Sequence, residues 1–353
     1  MKTGLVLSGG GAKGAYQVGV MKALLEKNVA IDCISGASIG ALNGCILASA
    51  PDLKTGVERL EEVWGRLPEI KPLQAQSMGR FVPALLPYLS FLASSGLRLN
   101  PYWKAATMLA AQLFKDQLPE TPDGIFTDTP LRDLMNEYLD LKQLQQSIPL
   151  FVSVFEQQNL IKESADYVVG MGLLGKDNKP SRFVHIQSLP INEQKEMILA
   201  SAAIPLIFQS KKDADNNRLT DGGQGGALKS QGNTPITPLI EQEHCDFVIV
   251  SHLSQGTLWN RHDFPQTACI EIRPNADLDL GFKAVFDFSA EKIQQLQQAG
   301  YEDTLLVLGD IQESLSVLYQ KREVNQQLAH AMANNDSQQK MQDAMRRLQS
   351  KKD

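Results

Sequence analysis

"LSGGGAKGAYQVG" (residues 7–19) stands between a short apolar run and a helical pattern, and its reading decides the fold. Upstream, "TGLVLS" (3–8) reads as a buried strand. Downstream, "AYQVGVMKALLEK" (15–27) places Val18, Met21, Leu24 and Leu25 at helical spacing, so the glycines form a strand-to-helix connection. Gly9, Gly10 and Gly11 give up side chains at a conformational cost of roughly 0.5–1 kcal/mol each, which a simple turn leaves unexplained. Glycine-rich backbone before a helix commonly holds an anion. That anion is either a bound phosphate or an oxygen that becomes negative only during a reaction.

A second apolar run, "IDCIS" (31–35), leads into "GASIGALNGCILASA" (36–50), a turn followed by an apolar helix. Two βα units in the first 50 residues predict a parallel sheet with helices on its faces. Gly9, Gly11 and Gly14 satisfy G-x-G-x-x-G, and Asp32 follows at about the 20-residue spacing of a dinucleotide fingerprint. Asp32, however, falls at the start of the second strand, whereas a ribose would need an acid at its carboxyl end. The P-loop reading fails because Lys13 precedes a glycine and no G-K-[ST] follows.

The second strand ends instead in "GASIG", Gly36 to Gly40, a match to G-x-S-x-G. Ser38 is expected on a sharp turn with its hydroxyl exposed at a helix N-terminus, while Gly36 and Gly40 leave room for a strained backbone. Adjacent parallel strands bring their carboxyl ends side by side. The N–H groups of the glycine loop would then face Ser38 as an oxyanion hole, and the anion would be transient.

A serine nucleophile needs a base. His185, His244, His252, His262 and His330 stand in no glycine-flanked loop, although a Ser–His–Asp arrangement through His244, His252 or His262 stays open. Asp221, in "LTDGGQGG", is followed by Gly222 and Gly223, a backbone that lets a carboxylate turn into a crevice. A carboxylate is a weak base for a hydroxyl, so this role requires partial desolvation and a short hydrogen bond.

Elsewhere, "DLKTGVERLEEVW" (52–64) and "TDTPLRDLMNEYL" (127–139) read as helices, and "IPLFVSVFE" (148–156) and "RFVHI" (182–186) as strands. A helix is expected from Asn192 to about Ala203. Two more strands, "CDFVIVSHL" (245–253) and "CIEIRP" (269–274), follow, the first apolar enough to be central. The stretch from about 70 to 120 is apolar and Pro-broken; it packs on the core or, with Tyr88, Phe91 and Trp103, faces lipid as a lid. From Gly309 the chain is Gln-rich and helical, with an interruption expected at "NNDS" (334–337).

With 353 residues, 43% of them hydrophobic, the chain can bury a large core. A formal charge of −6 argues against nucleic acid as a partner. Cys33, Cys45, Cys245 and Cys269 lack ligand spacing, so reduced buried thiols are expected and no metal. No leader-type h-region precedes a cleavage site, and the most apolar stretch (81–99) is broken by prolines short of the about 20 residues of a membrane span. A cytoplasmic protein is expected.

Taken together, "GGGAKG" (9–14), "GASIG" (36–40), "ASAAIPLIF" (200–208) and "DGG" (221–223), in that order, are similar to the patatin-like phospholipase family, over about residues 3–308. The resemblance implies a three-layer α/β/α sandwich around a mainly parallel sheet, with the C-terminal helical tail beyond it (domains 1–308 and 309–353). It implies a lipid acyl hydrolase without cofactor or metal, in which Ser38 is the nucleophile and Asp221 the base. Gly9, Gly10, Gly11, Ala12, Lys13 and Gly14 would form the oxyanion loop, and phospholipid or another acyl-ester lipid would be the substrate. Transient contact with a membrane surface, as a peripheral protein, and self-association through the tail helices are the partnerships expected. The same Ser38 could serve an acyltransferase or general esterase, and a non-catalytic nucleotide-binding protein is the alternative from another class. Family members commonly place Asn-x-Pro soon after D-G-[GA]; here "QGGALKSQG" precedes "NTP" (233–235), which bears on how tightly the loop after Asp221 is held.

Overall fold

The computed structural model describes residues 1–70, 129–157, 179–203, 210–213, 215–225, 231–255, 259–275, 278 and 282–349. The apolar insert from residue 71 on, and residues 204–208 of the "ASAAIPLIF" stretch, lie outside these. In chain order the elements are β1 (Thr3–Leu7), α1 (Ala15–Glu26), β2 (Cys33–Ala37), α2 (Ile39–Ala48), α3 (Leu53–Ile70), α4 (Thr129–Tyr138) and α5 (Leu141–Leu144). There follow β3 (Leu150–Gln157), β4 (Arg182–His185), α6 (Ile191–Ser201), β5 (Lys211–Lys212), β6 (Arg218–Asp221), α7 (Thr237–Glu241), β7 (Phe247–Ser251), β8 (Ala268–Ile272) and α8 (Ala290–Gln349).

The strands make one sheet in the order β5-β6-β3-β2-β1-β7-β8. Pairings within β3-β2-β1-β7-β8 are parallel, and the edge beyond β3 is antiparallel. β4 pairs with Phe151–Val154 along the edge of β3 away from β2, whereas β6 runs opposite Val154–Gln157 on the edge that β2 occupies at Leu150–Ser153. Since Ala37 pairs with Ser153 and Asp221 with the next residue, Val154, the ends of β2 and β6 meet on one edge of β3.

Side chains alternate across the sheet, as the pleat requires. Gly44 of α2 packs against Leu7, Ile34 and Leu150 on one face. On the other, Val6, Cys33, Phe151, Val248 and Val250 form a core with Ile236, Leu239 of α7 and Trp259. The result is a mixed α/β fold with a central, mainly parallel sheet covered on both faces. Helix α2 is buried along its whole length, which suits its all-round apolar sequence, whereas α3 buries a stripe of Val57, Leu60, Val63, Trp64 and Leu67. A Cβ at Gly19 of α1 would lie 1.8 Å from the Gln297 carbonyl oxygen, and one at Gly300 of α8 2.0 Å from that of Tyr16. Those two glycines let α1 and the first turns of α8 touch backbone to backbone.

Several sequence expectations shift. Strand β2 begins at Cys33, not Ile31, and Asp32 precedes it, its carboxylate accepting from the Thr3 N–H at 2.7 Å. This acid therefore ties the amino ends of two strands and is unsuited to a ribose. Helix α8 starts at Ala290 and runs unbroken through 334–337, because Asn, Asp and Ser each cost a helix no more than about 0.7 kcal/mol and neither Gly nor Pro is present there. Cys33, Cys45 and Cys245 are buried and free, but Cys269, on edge strand β8, is only partly covered. The chain divides into two compact units, Met1–Thr304 and Leu305–Asp353; the second exposes Leu306, Val324, Leu328, Met341 and Met345. Among the described residues no helix is long and apolar enough to cross a membrane.

Candidate active site

Ser38 caps the N-terminus of α2 with φ 53° and ψ −125°, a conformation that non-glycine residues rarely hold. The strain is locked in by close backbone packing. A Cβ at Gly36 would lie 2.5 Å from the Gly40 carbonyl oxygen, and one at Gly40 2.1 Å from that of Leu7, so the elbow presses directly on the end of β1. The Ser38 carbonyl accepts from Ala41 and Leu42 as α2 begins, and its N–H donates to Ser201 Oγ at 3.0 Å. Ser201 Oγ in turn donates to the Ser153 carbonyl at 2.6 Å. The expected exposure of Ser38 is not found: the residue is 6% exposed, because the glycine loop, Ser201 and Asp221 close around it.

The glycine loop lies where the parallel register puts it, with Leu7 opposite Gly36 and the Cβ position of Gly9 3.0 Å from Ser38 Cβ. Gly11 adopts φ +59°, and a Cβ there would meet the Val285 carbonyl oxygen at 2.4 Å, so glycine is required twice over. The N–H groups of Gly10, Gly11 and Ala12 have no hydrogen-bond partner among the described residues. Lys13, at 9% exposure, folds back so that its Cε lies 3.2 Å from the Cβ position of Gly10; burial lowers its pKa to about 8. Gly14 packs on Ile39. A buried amide chain fixes both ends of the loop: Gln17 donates to the Ser8 carbonyl at 2.8 Å, and Asn43 to Gln17 Oε1 at 2.8 Å and to the Gly14 carbonyl at 3.1 Å. Trp64 Nε1 donates to Asn43 Oδ1 at 3.0 Å and completes it.

Asp221 ends β6, where its N–H donates to the Ala203 carbonyl at 2.9 Å. Its carboxylate accepts from the Gly223 N–H at 2.8 Å and has the Ser38 hydroxyl as a neighbouring donor. Burial pushes its pKa up to about 6, with those two donors pulling the other way. A Cβ at Gly222 would sit 2.2 Å from the Ser153 carbonyl oxygen, so the first glycine after Asp221 lets the chain fold over β3. The loop that follows is pinched at its neck by Gly232 N–H to Gly225 carbonyl, 3.1 Å, and by Ser181 Oγ to Gly222 carbonyl, 2.6 Å. Directly beyond, Asn233 exchanges two hydrogen bonds with Gly9, and Thr234 Oγ1 meets Ser8 Oγ at 3.0 Å. Both flanks of residues 226–230, which lie outside the described residues, are therefore held: Gly222 and Gly225 before them, and Gly232, Asn233 and Thr234 after.

Among the described residues no histidine is a hydrogen-bond partner of Ser38. His252 is buried between Glu271, at 3.1 Å, and the Trp259 ring, His185 stacks on Phe151, and His262 lies in a surface turn. Ser201, Asn233 and the Gln17–Asn43–Trp64 chain were not anticipated as site residues. Asn233 carried a signal in the Asn-x-Pro segment and Ser201 in the "ASAAIPLIF" stretch, whereas the amide chain carried none. Among the described residues no group of three or more His, Cys, Asp or Glu side chains could hold a metal ion.

The family model described as "Patatin-like phospholipase" matches residues 5–240, a span that contains the glycine loop, Ser38, Ser201, Asp221 and Asn233. Among curated proteins, "Lysophospholipase nte1" of Aspergillus terreus is 50% identical over 64 residues, 18% of this chain and 4% of the relative. "Neuropathy target esterase sws" of Drosophila persimilis is 43% identical over 63 residues, with the same shares. The chain thus matches only a small part of the length of these relatives. Among solved structures, VipD from Legionella pneumophila aligns over 88% of this chain and 67% of its own at 16% identity and a TM-score of 0.40. The human GIVD cytosolic phospholipase A2 aligns over 90% and 59% at 14% identity and a TM-score of 0.34.

Proposed function

Because the chain belongs to the patatin-like phospholipase family, we propose that it is a lipid acyl hydrolase that cleaves carboxylic esters of phospholipids or lysophospholipids through Ser38 and Asp221. The observation that carries this reading is the Ser38 hydroxyl as a neighbouring donor to a buried carboxylate, beside a loop whose N–H groups of Gly10, Gly11 and Ala12 are unpaired among the described residues. Ser38 Oγ attacks the ester carbonyl carbon while its proton passes to Asp221. The carbonyl π electrons move onto oxygen, and the resulting oxyanion is stabilised by the loop N–H groups. Collapse expels the alcohol, which takes the proton back from Asp221 and leaves the acyl group on Ser38. Water, deprotonated by Asp221, then releases the fatty acid. Raising the Asp221 pKa to about 6 makes its carboxylate a stronger base than one in water, which a reaction without histidine requires. Substrate is met at a lipid surface by peripheral contact.

The test is mass spectrometry of fatty acids released from mixed-acyl phospholipid vesicles by wild type, Ser38→Ala and Asp221→Asn. Loss of release in both variants supports the pair, and the chain released gives the positional preference. Wild-type release from either variant, or no release together with no reaction of Ser38 with a fluorophosphonate, overturns it.

A further inference from the structure

We infer that Ser201 is a positioning residue for the reaction: its hydroxyl fixes the strained backbone of Ser38, while the adjacent Ala203 fixes Asp221, so that one three-residue segment sets the nucleophile against the base. The inference rests on the Ser38–Asp221 reading above. Ser201 is the last residue of α6 and is fully buried. Its single hydroxyl hydrogen is committed to the Ser153 carbonyl at 2.6 Å, which leaves its lone pairs to accept the Ser38 N–H at 3.0 Å. Two residues on, the Ala203 carbonyl takes the Asp221 N–H at 2.9 Å. Carbonyls at a helix end have no partner within the helix, and this one is used on the base.

Ser153, the anchor of the arrangement, pairs with Ala37 in the sheet, and its carbonyl lies 2.2 Å from where Gly222 would carry a Cβ. It therefore touches the residues next to both Ser38 and Asp221. A residue with φ near +53° persists only where its surroundings over-determine it, and at Ser38 the N–H bond to Ser201 adds a side-chain restraint to the backbone packing around Gly36 and Gly40. Removing the Ser201 hydroxyl leaves the Ala203–Asp221 bond in place and frees only the nucleophile's half of the pair. The loss then falls on the chemical step and not on substrate binding.

The experiment compares wild type, Ser201→Ala, Ser201→Cys and Ser201→Thr for kcat and KM on a soluble acyl ester, for the rate of Ser38 phosphonylation by a fluorophosphonate, and for thermal unfolding. With Ser201→Ala, kcat and the phosphonylation rate fall together by about tenfold, as loss of one buried hydrogen bond at the reacting group predicts, while KM stays near wild type. Ser201→Thr, which keeps the hydroxyl, recovers most of the rate. If Ser201→Ala does not fold, the near-isosteric Ser201→Cys replaces it, with a smaller drop because sulfur is a weak acceptor. Wild-type kcat and phosphonylation in the folded variant overturn the inference, as does a change confined to KM. Full turnover by Ser38→Ala or Asp221→Asn marks a different failure, that of the underlying pair.

Discussion

Gly9 and Asn233 hold each other through two hydrogen bonds across 224 residues of sequence: the Gly9 N–H donates to the Asn233 carbonyl at 3.2 Å, and the Asn233 amide donates to the Gly9 carbonyl at 3.3 Å. The loop proposed to receive the oxyanion and the loop that follows the proposed base are thereby one unit. Asn233→Ala keeps the backbone bond and loses the other. The expected result is a kcat lowered by about three- to tenfold with little change in KM, and Asn233→Asp, which cannot donate, behaves alike. Steady-state kinetics on a soluble ester checks this; unchanged kcat in both variants would detach the clamp from catalysis.

The pH dependence of turnover follows from Asp221. Its carboxyl titrates at about 6 in the folded protein, and only the ionised form can accept the Ser38 proton. kcat should therefore fall as pH drops through about 6. An acid limb near pH 4, where an exposed aspartate titrates, would show that burial does not tune this group.

Stability should move the opposite way. A folded-state pKa above the unfolded value means that the native state binds the proton more tightly, so the contribution of Asp221 to stability is greatest below pH 3.8 and is lost as pH rises to about 6. Asp221→Asn removes the loss, with a gain on the order of 2–3 kcal/mol at pH 7 that vanishes near pH 4. Denaturant unfolding at the two pH values measures it, and an Asn variant no more stable than wild type at pH 7 would contradict it.

Lys13 makes a second electrostatic prediction. Burial lowers its pKa from 10.5 to about 8, so the charged amine opposes folding at neutral pH. Between pH 8 and 10.5 the unfolded chain keeps the proton that the native state has released at Lys13, and the contribution of this residue to stability rises with pH. Lys13→Met should melt higher than wild type at pH 7, and the difference should shrink by pH 10. A lower melting temperature at pH 7 would mean that the ammonium is satisfied by its surroundings.

Gly11→Ala tests the loop backbone itself. At φ +59° and 2.4 Å from the Val285 carbonyl oxygen, an added methyl forces the loop or its neighbour to move. Ester turnover is expected to fall by two orders of magnitude or so, on the scale of losing an oxyanion donor. Retained turnover would place the donors elsewhere.

The sequence made the two backbone constraints of the site legible, because each is local. Triple glycine at Gly9–Gly11 and Gly36/Gly40 around Ser38 announce turns that no other residue can make, and the apolar runs of β1 and β2 place them side by side. Asp221 was legible through its two glycines and its family resemblance. What could not be read was the set of residues whose role exists only across long separations. Ser201 and Asn233 lie in stretches that the family resemblance marks, but their partners Ser38 and Gly9 are set only by folding, and Gln17, Asn43 and Trp64 share no local pattern. The burial of Ser38 was missed for the same reason: its cover comes from other segments and not from its own turn.

The sheet order carries a consequence for how the protein is made. The elbow bearing Ser38 is complete once α2 ends at Ala48, yet the segment that braces it arrives at Ser201–Ala203, Asp221 later still, and Asn233 last. Strand β1 also waits for β7, at Phe247–Ser251, to fill its second edge. A growing chain that has not yet reached Ser201 thus carries the nucleophile without its base, brace or clamp. On the proposed chemistry, hydrolytic competence is conferred late in synthesis, and the growing chain is inert towards the lipid of the cell that makes it.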